Sequence, residues 1–246
     1  MSSASRVLAA FLALVPLAVP CAQAQARTLA TEIQQTRYAA VGRLNLGGQG
    51  SCTATLIEPD LALTAAHCLV NRRTGAPWRA ERAVFLPGWR MGEARAVMRG
   101  RAAALAPGYL DDPAPARDLA LIRVAPSPEA PAPMPLAQTA APGTKVAALS
   151  YGRDRAEALS VQSGCVIEAR RGDLARSDCE ALPGISGAPL AAEGADGPEL
   201  VAIIVAAIDA APPALSGPAL AVAPQALMPA LREALRQVEA GQEASE

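Results

Sequence analysis

A chain of 246 residues with 22 basic and 23 acidic side chains, both signs scattered along it, offers neither a nucleic-acid groove nor a polybasic membrane tail. The length allows one large or two small domains, each with its own core. Apolar residues make up 51% but aromatics only 3%, so alanine and aliphatic side chains must fill that core.

At the N-terminus, Arg6 precedes an apolar run over residues 7–19. The small-residue tripeptides Ala22-Gln23-Ala24 and Ala24-Gln25-Ala26 follow. A charged start, a short apolar stretch and an Ala-x-Ala site predict a secretory signal peptide over residues 1–26. A membrane anchor is the alternative, but the run falls short of the roughly 20 apolar residues of a spanning helix, and Pro16 and Pro20 interrupt it. A lipidated Cys21 would need a small residue where Pro20 stands. The segment over 200–211 is too short to span a bilayer, so no membrane span is expected after cleavage. The destination is then the periplasm or the extracellular space.

Without Cys21 an even set remains: Cys52, Cys68, Cys165 and Cys179. In an exported chain this predicts two disulfides, for which three pairings exist. The local ones, Cys52–Cys68 and Cys165–Cys179, are expected. A metal site is disfavoured, since no second histidine and no closely spaced cysteine pair accompany them.

Val41-Gly42-Arg43-Leu44-Asn45-Leu46 alternates by two and reads as a strand, with a glycine-rich turn at 47–50. Strands follow at 51–57 and 61–64, around a turn at 58–60. Residues 80–86 read as a strand ended by Pro87-Gly88, and residues 93–98 as another. A loop is expected over 107–115 and an apolar strand over 118–124. Pro126, Pro128, Pro131, Pro133 and Pro135 exclude a helix or a central strand and mark a linker. Beyond it, 145–149, 160–169, 200–207 and 219–223 read as strands and 178–189 as a loop. Residues 225–238 read as a helix with Leu227, Leu231, Leu235 and Val238 on one face. Many short strands in two groups predict an all-β protein, and two small barrels fit better than one sandwich. The expected division is 1–26 signal peptide, 27–125 first barrel, 126–135 linker, 136–224 second barrel and 225–240 helix.

His67, the sole histidine, follows Thr64-Ala65-Ala66 and precedes Cys68. A neutral imidazole is the side chain best suited to take up a proton and return it near neutral pH. Asp118, heading an apolar strand, offers a carboxylate to orient it. Ser186, in Gly184-Ile185-Ser186-Gly187-Ala188-Pro189, offers a hydroxyl to activate. Taken singly, each has a plainer reading: a packed histidine, a surface acid at a strand start, a turn serine.

Taken together, Thr64-Ala65-Ala66-His67-Cys68, Asp118-Leu119-Ala120-Leu121 and Gly184-x-Ser186-Gly187-x-Pro189 resemble the three signature segments of the chymotrypsin-like (trypsin-fold) serine peptidases, in that family's chain order. The resemblance covers residues 41–238. It implies two six-stranded antiparallel β-barrels with a C-terminal α-helix, and a secreted serine endopeptidase acting on protein or peptide substrates with no cofactor and no metal. It assigns His67 as base, Asp118 as its orienting acid and Ser186 as nucleophile, with the N–H groups of Gly184 and Ser186 as the oxyanion hole. Where the animal digestive branch pairs an aspartate with a newly cut N-terminus, this chain has Ile185, so the hole must form without that pair, as in bacterial relatives lacking this aspartate. Arg37-Tyr38-Ala39-Ala40-Val41-Gly42 faintly resembles an activation site, and a short pro-segment between Arg27 and Arg37 would fit.

Glu180, six positions before Ser186, stands where trypsin-like members carry the acid at the pocket base, which leans toward Arg or Lys before the cleaved bond. Ala207 replaces the pocket-wall glycine. The glutamyl-specific branch is similar around Pro183-Gly184-x-Ser186-Gly187, but its pocket uses a histidine and His67 is already committed. The competing readings are a protease-fold binding protein with impaired catalysis and a structural envelope protein. The latter has no need of the sole histidine in this motif.

Overall fold

The computed structural model describes residues 25–48, 50–139, 141–210 and 215–244. Apart from Gln25 and Ala26, the expected signal peptide lies outside the described residues. An N-terminal arm leads in, with a two-residue strand β1 (Thr28–Leu29) and a short helix α1 (Glu32–Arg37). Thr31 and Gln34 cap that helix reciprocally, each side chain bonding the other's backbone N–H.

The first barrel comprises β2 (Val41–Leu46), β3 (Ser51–Glu58), β4 (Leu61–Thr64), β5 (Ala83–Pro87), β6 (Met98–Leu105) and β7 (Ala120–Val124). They close in the order β2-β3-β4-β7-β6-β5, all pairs antiparallel. β6 shows the underlying pattern: Met98, Gly100, Ala102 and Ala104 point in while Arg99 and Arg101 face water.

The second barrel comprises β8 (Lys145–Ser150), β9 (Ser160–Arg171), β10 (Leu174–Ala181), β11 (Pro189–Glu193), β12 (Pro198–Ala207) and β13 (Gly217–Val222). The order β9-β10-β13-β12-β11-β8 is closed by a further β8–β9 pairing. β1 adds to β9 from outside, Thr28 opposite Val161. Two closed six-stranded barrels are thus present, as expected. The interiors are alanine and aliphatic, with Phe85 and Tyr151 the bulkiest fully buried side chains among the described residues.

The chain between the barrels turns at 128–129, where Ala130 N–H donates to Ser127 O at 3.1 Å, and is bonded to both barrels. Met134 N–H donates to Leu56 O of β3 at 2.9 Å, and Leu200 N–H of β12 donates to Pro135 O at 2.8 Å. Helix α2 (Met228–Glu243) returns from the second barrel to pack Met228, Leu231 and Leu235 on the first, against β6 and β7. Arg123 of β7 fastens it, bonding Glu239 and Asp60 at 2.8 Å each.

Several boundaries differ from expectation. Residues 80–82 form a 3₁₀ turn before β5. Over 93–98 there is no regular strand until Met98, because Met91 and Gly92 take positive φ and fold Arg90 back onto Glu93. Residues 178–181 belong to β10 and 189–193 to β11, so the loop carrying Ser186 is shorter than expected. Polar residues disguise β10, yet its burial alternates: Ala175, Ser177, Cys179 and Ala181 are inside. Helix α2 starts at Met228, since Gln225 is held outside it by bonding Ala137 O at 2.7 Å, and Val238 is exposed rather than packed.

Candidate active site

β4 delivers the chain to a 3₁₀ turn, Ala66–Leu69, that carries His67. A disulfide from Cys68 to Cys52 fastens this turn to β3, and a second joins Cys165 to Cys179 inside the other barrel. Both are the expected local pairs. Asp118 follows another 3₁₀ turn, Pro115–Arg117, and is only 7% exposed. Its carboxylate holds His67 at two points: Oδ1 accepts the His67 backbone N–H at 2.8 Å, and Oδ2 lies 2.6 Å from Nδ1. A carboxylate only accepts, so the contact selects a ring with its proton on Nδ1, the neutral tautomer in which Nε2 can accept.

Tyr109 was not singled out from the sequence. It is buried beside Asp118, and its hydroxyl is pushed up to about 12 by burial first and by the neighbouring carboxylate second. The phenol stays neutral and presents a dipole, not a charge, to Asp118. An isolated tyrosine in a loop gave no pattern that could mark it.

Ser186 sits on the loop between β10 and β11. Gly184 and Gly187 take φ of +98° and +81°, a region closed to most side chains. Gly187 N–H donates to Ile204 O at 2.8 Å, and Thr53 N–H donates to Ser186 O at 2.9 Å. Thr53 O also accepts the Thr64 hydroxyl at 2.7 Å. The serine loop therefore rests on β3 and β4 at Thr64, three residues before His67. Contact is close enough that a Cβ on Gly187 would lie 2.1 Å from Thr53 O and 2.2 Å from Thr64 Oγ1. Among the described residues, neither the Gly184 nor the Ser186 N–H donates to a backbone carbonyl. His67, Ser186 and Gly184 all line one cavity of about 660 Å³ between the barrels.

A second cavity of about 200 Å³ touches Ser186 but not His67. Its walls are apolar, including Leu182, Ile185, Val205, Ala207 and Leu215.

Residues 52–203 match the trypsin-like peptidase domain. The chain belongs to that family. None of the curated proteins matches significantly. Among solved structures, a Glu endopeptidase is similar with a TM-score of 0.70 and 18% identity, over 85% of this chain and 96% of its own. The protease Anisep from Arthrobacter nicotinovorans gives 0.68 and 15%, over 86% and 100%. A thermostable serine protease, AL20, from an extremophilic microorganism gives 0.64 and 15%, over 80% and 97%.

Within this trypsin-like peptidase fold, the other expected pocket residues separate. Ala207 lines the smaller cavity. Glu180 does not: it lies one residue before the lining Ala181, at a shift in register opposite Pro218, with its N–H bonded to Gln162 Oε1 at 2.8 Å. Ile185 is buried, and its methyl packs near Gly152 beside the guanidinium of Arg27, which pairs with Asp154. Cys52, Cys68 and His67 bring possible metal-binding atoms within 4.8 Å of one another, but both sulfurs are committed to the disulfide.

Proposed function

We propose that this protein is an exported serine endopeptidase that cleaves peptide bonds through His67, Asp118 and Ser186. The observation that carries the reading is the two-point grip of Asp118 on His67, with His67 and Ser186 lining the same cavity. The grip fixes the tautomer in which Nε2 accepts a proton. Ser186 Oγ attacks the substrate carbonyl carbon as its proton passes to His67. The imidazolium, stabilised by Asp118, then gives that proton to the leaving amine, and the C–N bond breaks to leave an acyl-enzyme. Water, deprotonated by the same imidazole, attacks the ester carbonyl; the bond to Ser186 Oγ breaks, the imidazolium returns the proton to that oxygen, and the acid leaves. The Gly184 and Ser186 N–H groups supply the oxyanion hole, where losing one donor costs about 3 kcal/mol. The two disulfides are consistent with an oxidising destination. Among the described residues no helix is long and apolar enough to cross a membrane.

The residue before the cleaved bond would enter the smaller cavity. The position of Glu180 in the sequence leans toward a basic one. The apolar lining supports a small or medium apolar side chain instead, because a cation there would be desolvated without a partner among the lining residues.

A fluorophosphonate probe tests the chemistry. It should label the mature protein at Ser186 and fail on Ser186→Ala. Asp118→Asn should keep the fold but lower kcat by about 10⁴-fold, since the amide favours the wrong tautomer. No labelling of correctly folded, fully processed protein would favour a binding protein with idle chemistry. Sequencing of cleaved peptides would then decide the pocket: enrichment of Arg or Lys before the cut would restore the assignment to Glu180.

A further inference from the structure

The larger cavity is built to receive negative charge. Arg43, Arg72, Arg73, Arg82 and Arg153 all line it, and among the described residues no acidic side chain does. Arg43 is committed, bonded to Glu157 at 2.6 Å. The other four make no ion pair among the described residues and are exposed. A net charge of −1 for the whole chain makes this gathering local rather than a general excess of base. The walls are structured. Arg72 and Arg73 lie on a hairpin closed by a Val70–Pro77 bridge and by Trp78 N–H bonding Leu69 O at 2.7 Å. Arg82 stacks over the Trp78 ring at 5.0 Å. Arg153 comes from the second barrel, its N–H bonding Pro183 O at 3.2 Å, next to Gly184. Cations thus face the cavity from both barrels.

Which part of a substrate lies there follows from proton transfer. His67 must protonate the departing amine, so the chain beyond the cleaved bond leaves on the side His67 faces. That is the larger cavity; the smaller one touches Ser186 alone. Resting on the peptidase reading above, we infer that this enzyme prefers peptides carrying Asp or Glu in the first few residues after the cleaved bond. The arginines steer and hold that segment, and they raise the local concentration of acidic substrates around the serine.

The test uses quenched fluorescent peptides, identical before the cut and carrying Glu-Glu, Ala-Ala or Lys-Lys after it. Expected is kcat/KM in the order Glu, Ala, Lys. The Glu-to-Lys ratio should be about tenfold or more, the sum of several exposed pairings. The ratio should shrink several-fold between about 0.05 and 0.5 M salt, as the Debye length contracts. In Arg72→Ser/Arg73→Ser it should shrink likewise. Equal kcat/KM for the three peptides, or a preference indifferent to salt and to the double variant, overturns the inference. Fluorescence anisotropy of uncleaved acidic and basic peptides on Ser186→Ala tests it apart from catalysis. Equal affinities there refute the charge preference whether or not the probe labels the wild type, while absent labelling refutes the enzyme reading itself.

Discussion

Replacing Gly187 by alanine tests the joint between the barrels. The new methyl carbon would stand 2.1 Å from Thr53 O and 2.2 Å from Thr64 Oγ1, where ordinary contacts are about 3.5 Å. The serine loop must therefore lift from β3 by more than about 1 Å. The φ of +81° adds roughly 1–2 kcal/mol of strain for any residue with a Cβ. Lifting the loop stretches the 2.9 Å bond from Thr53 N–H to Ser186 O, worth about 1 kcal/mol. Together these predict a loss of about 3 kcal/mol in unfolding free energy. Ser186 moves with the loop, and a displacement of about 1 Å costs roughly 100-fold in rate. The assay is urea unfolding alongside kcat/KM on a single peptide. Gly172→Ala is the control: its φ is +60° and nothing lies within 4 Å, so it should show strain of about 1–2 kcal/mol and keep its rate. If Gly187→Ala lost no more stability and no more activity than Gly172→Ala, the serine loop would not be seated as argued.

Two further outcomes are expected. Replacing Cys52 and Cys68 together by alanine frees a loop of sequence separation 16 and should cost about 3 kcal/mol. Because this bond fastens the turn of His67, kcat should fall more than in the corresponding Cys165/Cys179 double variant, as side-by-side unfolding and kinetics would reveal. Alkaline stability should depend on Tyr109. Its hydroxyl is raised from 10.0 to about 12, mainly by burial, so the unfolded chain gives up that proton first. Unfolding free energy should hold below about pH 10, fall as pH climbs toward about 12, and fall less steeply in Tyr109→Phe. Tyr151 is raised by burial too and steepens the same decline. Urea midpoints taken across pH 9 to 11.5 read the slope directly, and an unchanged slope in Tyr109→Phe would exclude the phenol.

The candidate site is legible at His67, Asp118 and Ser186 because each lies in a short, distinctive local phrase and chain order links the phrases. β2 was legible for a different reason, since it alternates by two, and β3 and β4 because they are short, largely buried runs bracketed by turn residues. β10 was hidden because Ser177, Asp178 and Glu180 make its text polar while Ala175, Cys179 and Ala181 do the burying. Tyr109 and the arginine-lined cavity were hidden because nothing local marks them. Arg43, Arg72, Arg82 and Arg153 are scattered along the text and meet only when two barrels face each other. The pocket acid illustrates the opposite hazard. Counting back from Ser186 located Glu180 correctly along the strand, but a register shift in β10 decides what that position touches.

The return of α2 to the first barrel has a consequence for biogenesis. Met228, Leu231 and Leu235 cover apolar surface laid down by β6, which leaves the ribosome more than a hundred residues earlier. A nascent chain stalled before α2 would carry an open apolar flank on its first barrel, a ready target for holding chaperones and for quality-control proteases.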